Sequence, residues 1–102
     1  MLYVIMAYDA PNSEEPRRTA HAAHMAHVDK IAAAGGQIVL AGPCLAKDSP
    51  DRQLAGFFGS LIVAEFDSLA AAQEWSDTDP FVTAGVFESV MVKPFRQVIP
   101  KP

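Results

Sequence analysis

The chain has 102 residues, enough for one domain with a buried core and too few for two, so we expect a single domain over residues 1–102. Half of the residues are apolar, and 12 Asp and Glu against 8 Lys and Arg give a net charge of −4. This composition lacks the excess of cations that binding to a phosphate backbone requires, which excludes nucleic acid as the expected partner.

Cysteine usage and the apolar runs bear on location. Cys44 is the single cysteine, so it has no partner for an internal disulfide, as is typical of proteins in reducing compartments. The N-terminal apolar run at 2–7 is too short for a signal sequence, and the longest uncharged stretch, 31–46, is broken by glycines and a proline. The sequence therefore predicts a cytoplasmic protein with no membrane segment.

The first half of the chain predicts a strand, a helix, a second strand and a loop, at residues 2–8, 13–34, 37–41 and 47–56. The first strand is rich in aromatic and β-branched residues and ends at an Asp-Ala-Pro-Asn turn. Ser13 is the expected N-cap of the helix, and Gly35 with Gly36 stops it. Residues 47–56 show no apolar periodicity and are expected to form a loop.

The second half predicts a strand at residues 59–66, a helix that carries Leu69, Ala72 and Trp75 at helical spacing, a short turn from Pro80 to Gly85, and a last strand at 86–95. Asp67 or Ser68 caps the helix, and Trp75 is its expected anchor. Asp79 followed by Pro80 is typical of a second helix start. The order βαββαβ predicts an α+β fold, a ferredoxin-like plait with a four-stranded antiparallel sheet and both helices on one face.

The strands have apolar residues on both faces, although a sheet covered on one side should alternate apolar and polar. Leu2, Val4 and Met6 point to one side of the first strand, while Tyr3 and Ile5 point to the other. No sequence remains to form a third layer. We therefore expect a homodimer, or a higher oligomer, in which the same face of a second copy covers this one. A monomer with an exposed apolar face is the alternative.

All three histidines lie in the first helix. At about 100 degrees per residue, His24 and His27 fall within its apolar arc and His21 at the edge. His21 and His27 are about 240 degrees apart, so the three cannot converge on one ion, and we expect no metal. A backbone carbonyl is the expected partner of His27, whereas His24 fits either a core position or an acid–base role.

An acid–base histidine is usually oriented by a carboxylate, and two candidates stand at the ends of elements. Asp9 follows the first strand and Asp79 precedes Pro80. Asp79 also fits a purely structural role as the N-cap of the turn that begins at Pro80. The residues alone leave the choice between the two carboxylates open.

Over nearly its whole length the sequence resembles the YciI-like family. The segments that carry the resemblance are Tyr3 to Asn12, His24 with the helix after it, Gly42-Pro43, Gly56-Phe57, Gly59-Ser60, Asp79-Pro80-Phe81, Ala84-Gly85-Val86 and Val92-Lys93-Pro94-Phe95. The resemblance implies a dimeric α+β barrel with a ferredoxin-like protomer. It also implies His24 as the acid–base group, with Asp79 in the best position to be its partner.

From the resemblance we expect an enzyme without a cofactor, a lyase of the dehydrochlorinase type or an isomerase, acting on a small cyclic or aromatic-derived substrate. Neutral His24 would remove a proton while Asp79 stabilises the imidazolium. A non-catalytic small-molecule binding or accessory module is the alternative, since a fold does not settle a function. Relatives of the barrel that handle heme or oxygen are a third class, for which the sequence offers no further ligands.

Further candidate substrate contacts follow from the residues themselves. Backbone amides near Gly42 or Gly59 and the hydroxyl of Ser60 are candidates to receive a developing oxyanion, because glycine lets a ligand approach the backbone. Phe81 is a candidate pocket wall, together with Phe57 and Phe58. Ordinary strand ends explain the glycines equally well, and large aromatics in a small chain are often simply core.

Overall fold

The computed structural model describes all of residues 1–102 and contains four strands and four helices. The elements are β1 (Leu2–Asp9), α1 (Glu14–Ala33), β2 (Ile38–Leu45), α2 (Arg52–Ala55), β3 (Phe57–Glu65), α3 (Leu69–Asp77), α4 (Pro80–Thr83) and β4 (Phe87–Phe95). The strands form one sheet in the order β2-β3-β1-β4, with every neighbouring pair antiparallel. This is the predicted ferredoxin-like α+β plait. No helix combines the length and the apolar character needed to span a membrane.

The main core lies between one face of the sheet and the long helices. In the register, Ile5 of β1 stands between Ile62 of β3 and Val92 of β4. These side chains are buried together with Ile31 of α1 and Ala72 of α3. The alternation of buried and half-buried residues along β1 follows from the two-residue period of a strand.

Two of the three predicted helix caps use their side chains. Ser68 accepts a hydrogen bond from the backbone N–H of Ala71 at 3.0 Å, and Asp79 accepts one from Phe81 at 2.9 Å. Ser13 occupies the N-cap position of α1, but its side chain makes no capping bond. Its hydroxyl instead donates to Asp9 Oδ2 at 3.4 Å, because the Asp9 carboxylate lies beside the start of the helix.

The second strand and the loop after it differ most from their predicted boundaries. The second strand continues through Gly42 and Pro43 to Leu45, where the prediction ended it at residue 41. β2 is an edge strand, so the missing N–H of Pro43 need not interrupt its pairing with β3. The predicted loop 47–56 contains α2, a single turn that Asp51 caps by accepting from the Gln53 N–H at 2.9 Å.

The second face of the sheet is apolar, as predicted, and no helix of this chain buries it. On the central strand β1 this face includes Val4 and Met6, which are only partly buried. Met91, the neighbour of Met6 on β4, is 43% exposed, and Phe58 of β3 is 50% exposed. Phe58 packs edge to face against Tyr8 on this side of the sheet, with ring centroids 5.3 Å apart.

Candidate functional site

One side of α1 forms the wall of a cavity of about 760 Å³. The α1 residues that line it recur every three or four positions and so share one helix face: Glu14, Arg17, Arg18, His21, His24, Met25 and Val28. β2, β3 and α4 provide the opposite walls, and Arg52 and Gln53 of α2 also line it. The segment predicted as a featureless loop therefore helps to form this cavity.

His24 and Asp79 are in direct contact although they are 55 positions apart. The Nδ1 of His24 lies 2.7 Å from Asp79 Oδ1, and the two side chains are only 9% and 4% exposed. A carboxylate can only accept, so neutral His24 carries its proton on Nδ1 and donates a hydrogen bond from this N–H to Asp79. The other ring nitrogen, Nε2, then has a lone pair available.

Asp79 performs both roles that the sequence suggested. Its Oδ1 accepts the N–H of Phe81 and so caps α4, and the same oxygen accepts from His24. The cap fixes the carboxylate on a buried helix start, and the carboxylate in turn fixes the orientation and tautomer of the imidazole. Asp79 does not line the cavity itself, whereas its partner His24 does.

The imidazole of His24 opens toward the cavity through Nε2. Its ring stacks on Phe81, with centroids 3.9 Å apart and planes 5° from parallel. Nε2 has no hydrogen-bond partner in the protein, whereas every fully buried side-chain nitrogen and oxygen has one. Nε2 is therefore accessible, and His24 lines the cavity. The geometry provides a base that a small molecule in this cavity can reach.

The other candidate carboxylate, Asp9, is held by Arg17. The Arg17 Nη2 lies 2.7 Å from Asp9 Oδ1, and Nε donates to Oδ2 at 3.2 Å. Both carboxylate oxygens of Asp9 are therefore bonded to Arg17, and the carboxylate that bonds His24 is that of Asp79. Sequence reasoning missed Arg17, but its spacing was a usable signal, because a residue seven positions before His24 lies on the same face of a helix.

The other two histidines have different environments. His27 Nε2 donates to the carbonyl oxygen of Trp75 at 2.7 Å, and the indole N–H returns a bond to the carbonyl of His27 at 3.1 Å. The predicted backbone-bonded core histidine is thus confirmed for His27. His21 is exposed on the cavity wall. The structure contains no cluster of three or more His, Cys, Asp or Glu residues that could hold a metal ion.

The predicted substrate contacts divide into two groups. Gly42, Ser60 and Phe81 line the cavity, whereas Gly59 does not. The Ser60 hydroxyl donates a hydrogen bond to the carbonyl oxygen of Gly42 at 3.3 Å, so its O–H already has a partner on the neighbouring strand. Gly59 has a packing reason to be glycine, because a Cβ there would lie 2.0 Å from the carbonyl oxygen of Ala7.

Of the two neighbouring aromatic residues predicted as pocket walls, Phe57 and Phe58, only the first lines the cavity. Phe57 lines the cavity, and the Arg17 guanidinium lies 4.4 Å from its ring centroid. Phe58 is the next residue on the same strand and therefore points to the opposite, open face of the sheet. The expectation that Phe58 walls the pocket was wrong for this reason.

Comparison of the sequence with known proteins gives a consistent result. The family model of the YCII-related domain matches residues 1–96. Protein YciI of Escherichia coli O6:H1 is 50% identical over 98 residues, which cover 96% of this chain and 99% of that protein. An uncharacterized protein of Haemophilus influenzae is 42% identical with the same coverage.

Among solved structures, the chain is similar to 5-chloro-2-hydroxyhydroquinone dehydrochlorinase from Burkholderia phenoliruptrix AC1100. The structure of that protein is a complex with 2,5-dihydroxybenzoquinone. The two chains are 28% identical, the TM-score is 0.83, and the match covers 96% of each chain. A protein of Pseudomonas aeruginosa shares the fold alone, at 14% identity and a TM-score of 0.51, with 95% of this chain and 92% of that one covered.

Proposed function

This chain belongs to the YCII-related domain family, and from that premise we propose that it is an enzyme in which His24 and Asp79 form an acid–base pair and no cofactor takes part. The observation that carries the proposal is the buried 2.7 Å contact between His24 Nδ1 and Asp79 Oδ1, with the opposite ring nitrogen open to a cavity. A histidine so placed is suited to take a proton from a bound substrate.

The proposed chemistry begins with proton transfer to His24. Nε2 accepts a proton from a hydroxyl or carbon of the substrate, and the bond's electron pair stays with the substrate. The imidazolium that forms keeps its Nδ1–H bonded to Asp79, whose negative charge stabilises it. Asp79 does not itself need to be protonated. In an isomerisation the proton returns to another atom; in a dehydrochlorination chloride leaves with the electron pair of the C–Cl bond.

The substrate class in this proposal is a small cyclic or aromatic-derived molecule. The structural similarity to a dehydrochlorinase of a chlorinated hydroxyhydroquinone, over 96% of both chains, supports a lyase of that type. The apolar part of the cavity agrees with a ring-shaped ligand, because Phe57, Phe81 and Ile62 line it.

The test uses 5-chloro-2-hydroxyhydroquinone as the substrate and chloride release as the assay. We expect the wild type to release chloride and His24→Asn to be slower by about 100-fold or more, the usual contribution of a general base. His24→Asn should still bind 2,5-dihydroxybenzoquinone, because the other residues that line the cavity are unchanged. His27→Asn is the matched control, since His27 lies outside the cavity. Wild-type rates in His24→Asn would refute the acid–base role.

The alternative is a non-catalytic binding module, in which His24 Nε2 only accepts a hydrogen bond from a ligand. The same open nitrogen favours this reading, because an acceptor on a cavity wall can bind as well as react. The two functions differ in His24→Asn. A binding module should lose affinity for 2,5-dihydroxybenzoquinone and show no chloride release in the wild type, whereas an enzyme should lose turnover.

We also propose that the apolar second face of the sheet pairs with the same face of another copy to form a homodimer. Tyr8, Leu40, Phe58 and Met91 are each 37% to 50% exposed on the single chain. Apolar side chains gathered on one sheet face are typical of an interface rather than of a solvated surface.

A further inference from the structure

The cavity gathers guanidinium groups in a protein that is negatively charged overall. Three of the four arginines line it, Arg17, Arg18 and Arg52, while the net charge of the chain is −4. Glu14 is the single carboxylate among the lining residues. Arg18 is paired with Glu15 on the surface, and Arg52 forms no ion pair. The wall of the cavity is therefore rich in charged hydrogen-bond donors.

Arg17 is the most firmly held of these groups. Its side chain is 11% exposed, its Nε and Nη2 bond the two oxygens of Asp9, and its guanidinium lies 4.4 Å from the ring of Phe57 and 5.0 Å from that of Phe81. Such a guanidinium loses little freedom when it binds a ligand.

One nitrogen of Arg17 has no partner in the protein. Nε and Nη2 are used by Asp9, whereas Nη1 makes no hydrogen bond. Every fully buried side-chain nitrogen has a partner, so Nη1, which has none, must be accessible. Arg17 also lines the cavity. A charged donor left open in this way is suited to an anionic oxygen, with which it forms a stronger hydrogen bond than with a neutral one.

Arg17 and His24 lie within reach of one small molecule. They are two turns apart on the same face of α1, about 10 Å along the helix axis. Both contact Phe81, with the imidazole centroid 3.9 Å and the guanidinium carbon 5.0 Å from its ring centroid. A substrate that binds Arg17 at one end therefore presents its other end near the open nitrogen of His24.

We propose that Arg17 binds an anionic oxygen of the substrate through Nη1, which makes the substrate class an organic acid, a carboxylate or an ionised phenol. Arg52, at the wall of the same cavity, adds its unpaired charge. This proposal rests on the proposed function in one respect, because it takes the cavity as the place where the substrate binds.

The test compares benzoate with benzyl alcohol, which have the same ring and differ in charge. Each is titrated into ¹⁵N-labelled protein and followed by NMR. In the wild type, benzoate should shift cavity residues saturably and bind more tightly than benzyl alcohol. The double variant Asp9→Asn/Arg17→Gln removes the buried pair together, so the net charge stays the same and no buried charge is left alone. Benzoate affinity should fall roughly tenfold, with benzyl alcohol unchanged.

Two further variants keep the test decisive. If the double variant does not fold, Arg17→Lys replaces it, because lysine keeps the charge beside Asp9 but has a single nitrogen and no equivalent of Nη1. Arg52→Gln and Arg96→Gln each remove one exposed arginine, the first at the cavity and the second outside it. Only Arg52→Gln should weaken benzoate binding.

The proposal is overturned if benzoate binds no better than benzyl alcohol or does not bind. It is also overturned if neither Arg17 variant weakens benzoate, or if Arg96→Gln weakens it as much as Arg52→Gln does. Benzoate needs no turnover, so the result is independent of the acid–base role. Benzoate binding with full turnover by His24→Asn would leave the anion site intact and refute the proposed function alone.

Discussion

The bond between Asp79 and His24 makes a quantitative prediction for Asp79→Ala. This substitution removes two things at once, the cap of α4 and the partner of a buried imidazole N–H. Ser68→Ala is the matched control, because Ser68 caps α3 by accepting from the Ala71 N–H at 3.0 Å and has no other side-chain partner. The difference between the two variants isolates the contact with His24.

The magnitude follows from these contacts. Loss of an N-cap costs about 1 kcal/mol, which is the whole effect expected for Ser68→Ala. Leaving the Nδ1–H of His24 unpaired inside the protein costs about 1 to 3 kcal/mol more. Asp79→Ala should therefore lower the free energy of unfolding by about 2 to 4 kcal/mol, a Tm decrease of roughly 10 to 25 °C for a domain of this size. Asp79→Asn retains an acceptor oxygen and should lose about 1 kcal/mol or less.

The assay is urea unfolding of the four proteins at one pH, followed by the fluorescence of Trp75 and by circular dichroism. A second Asp79→Ala variant is made in a His24→Ala background, where no imidazole remains to be left unpaired. There the cost of removing Asp79 should fall to that of the cap, about 1 kcal/mol.

The energetic coupling between Asp79 and His24 would be refuted if Asp79→Ala cost no more than Ser68→Ala. It would be refuted equally if the cost of Asp79→Ala were the same with and without His24, because the two side chains would then be energetically independent. We expect Asp79→Ala to lose much stability only when His24 is present, and Asp79→Asn to stay stable but lose turnover. These results together would separate the structural role of the carboxylate from the role of its charge.

Three other predictions follow from the packing. His27→Phe should lower stability by about 1 to 2 kcal/mol, measured by urea unfolding, without changing benzoate binding; weaker binding would contradict its structural role. Gly59→Ala should cost about 2 to 3 kcal/mol of stability, because its Cβ would lie 2.0 Å from the carbonyl oxygen of Ala7. Gly42→Ala should cost about 0.5 kcal/mol or less, because a Cβ there has nothing within 4 Å. Equal melting temperatures of the two variants would contradict this prediction. Sedimentation at micromolar concentration should give twice the 11.0 kDa chain mass for the wild type and the single mass for Met91→Lys, and a wild-type monomer would exclude the dimer.

The sequence by itself determined the family, the order of the main elements and the faces of α1. The assignment to the YciI-like family is confirmed by the match over residues 1–96, and the α+β plait by the strand order. Burial of His24 and His27 followed from their position in the apolar arc of α1. The order of the elements and the faces of α1 depend on periodicity and turn residues within a few positions of one another, so they can be read along the chain. The family was identified from a resemblance in short motifs.

The tertiary structure alone decided which groups meet in the cavity. The residues alone left the choice between Asp9 and Asp79 open, and the family resemblance favoured Asp79. The structure places Asp79 against His24 across 55 positions, while Arg17 holds Asp9. Gly59 lies outside the cavity, where a Cβ would meet the carbonyl oxygen of Ala7, whereas Arg52 of α2 lines the cavity. Such contacts depend on how the loops position whole elements in space, and no local pattern of residues encodes that distance.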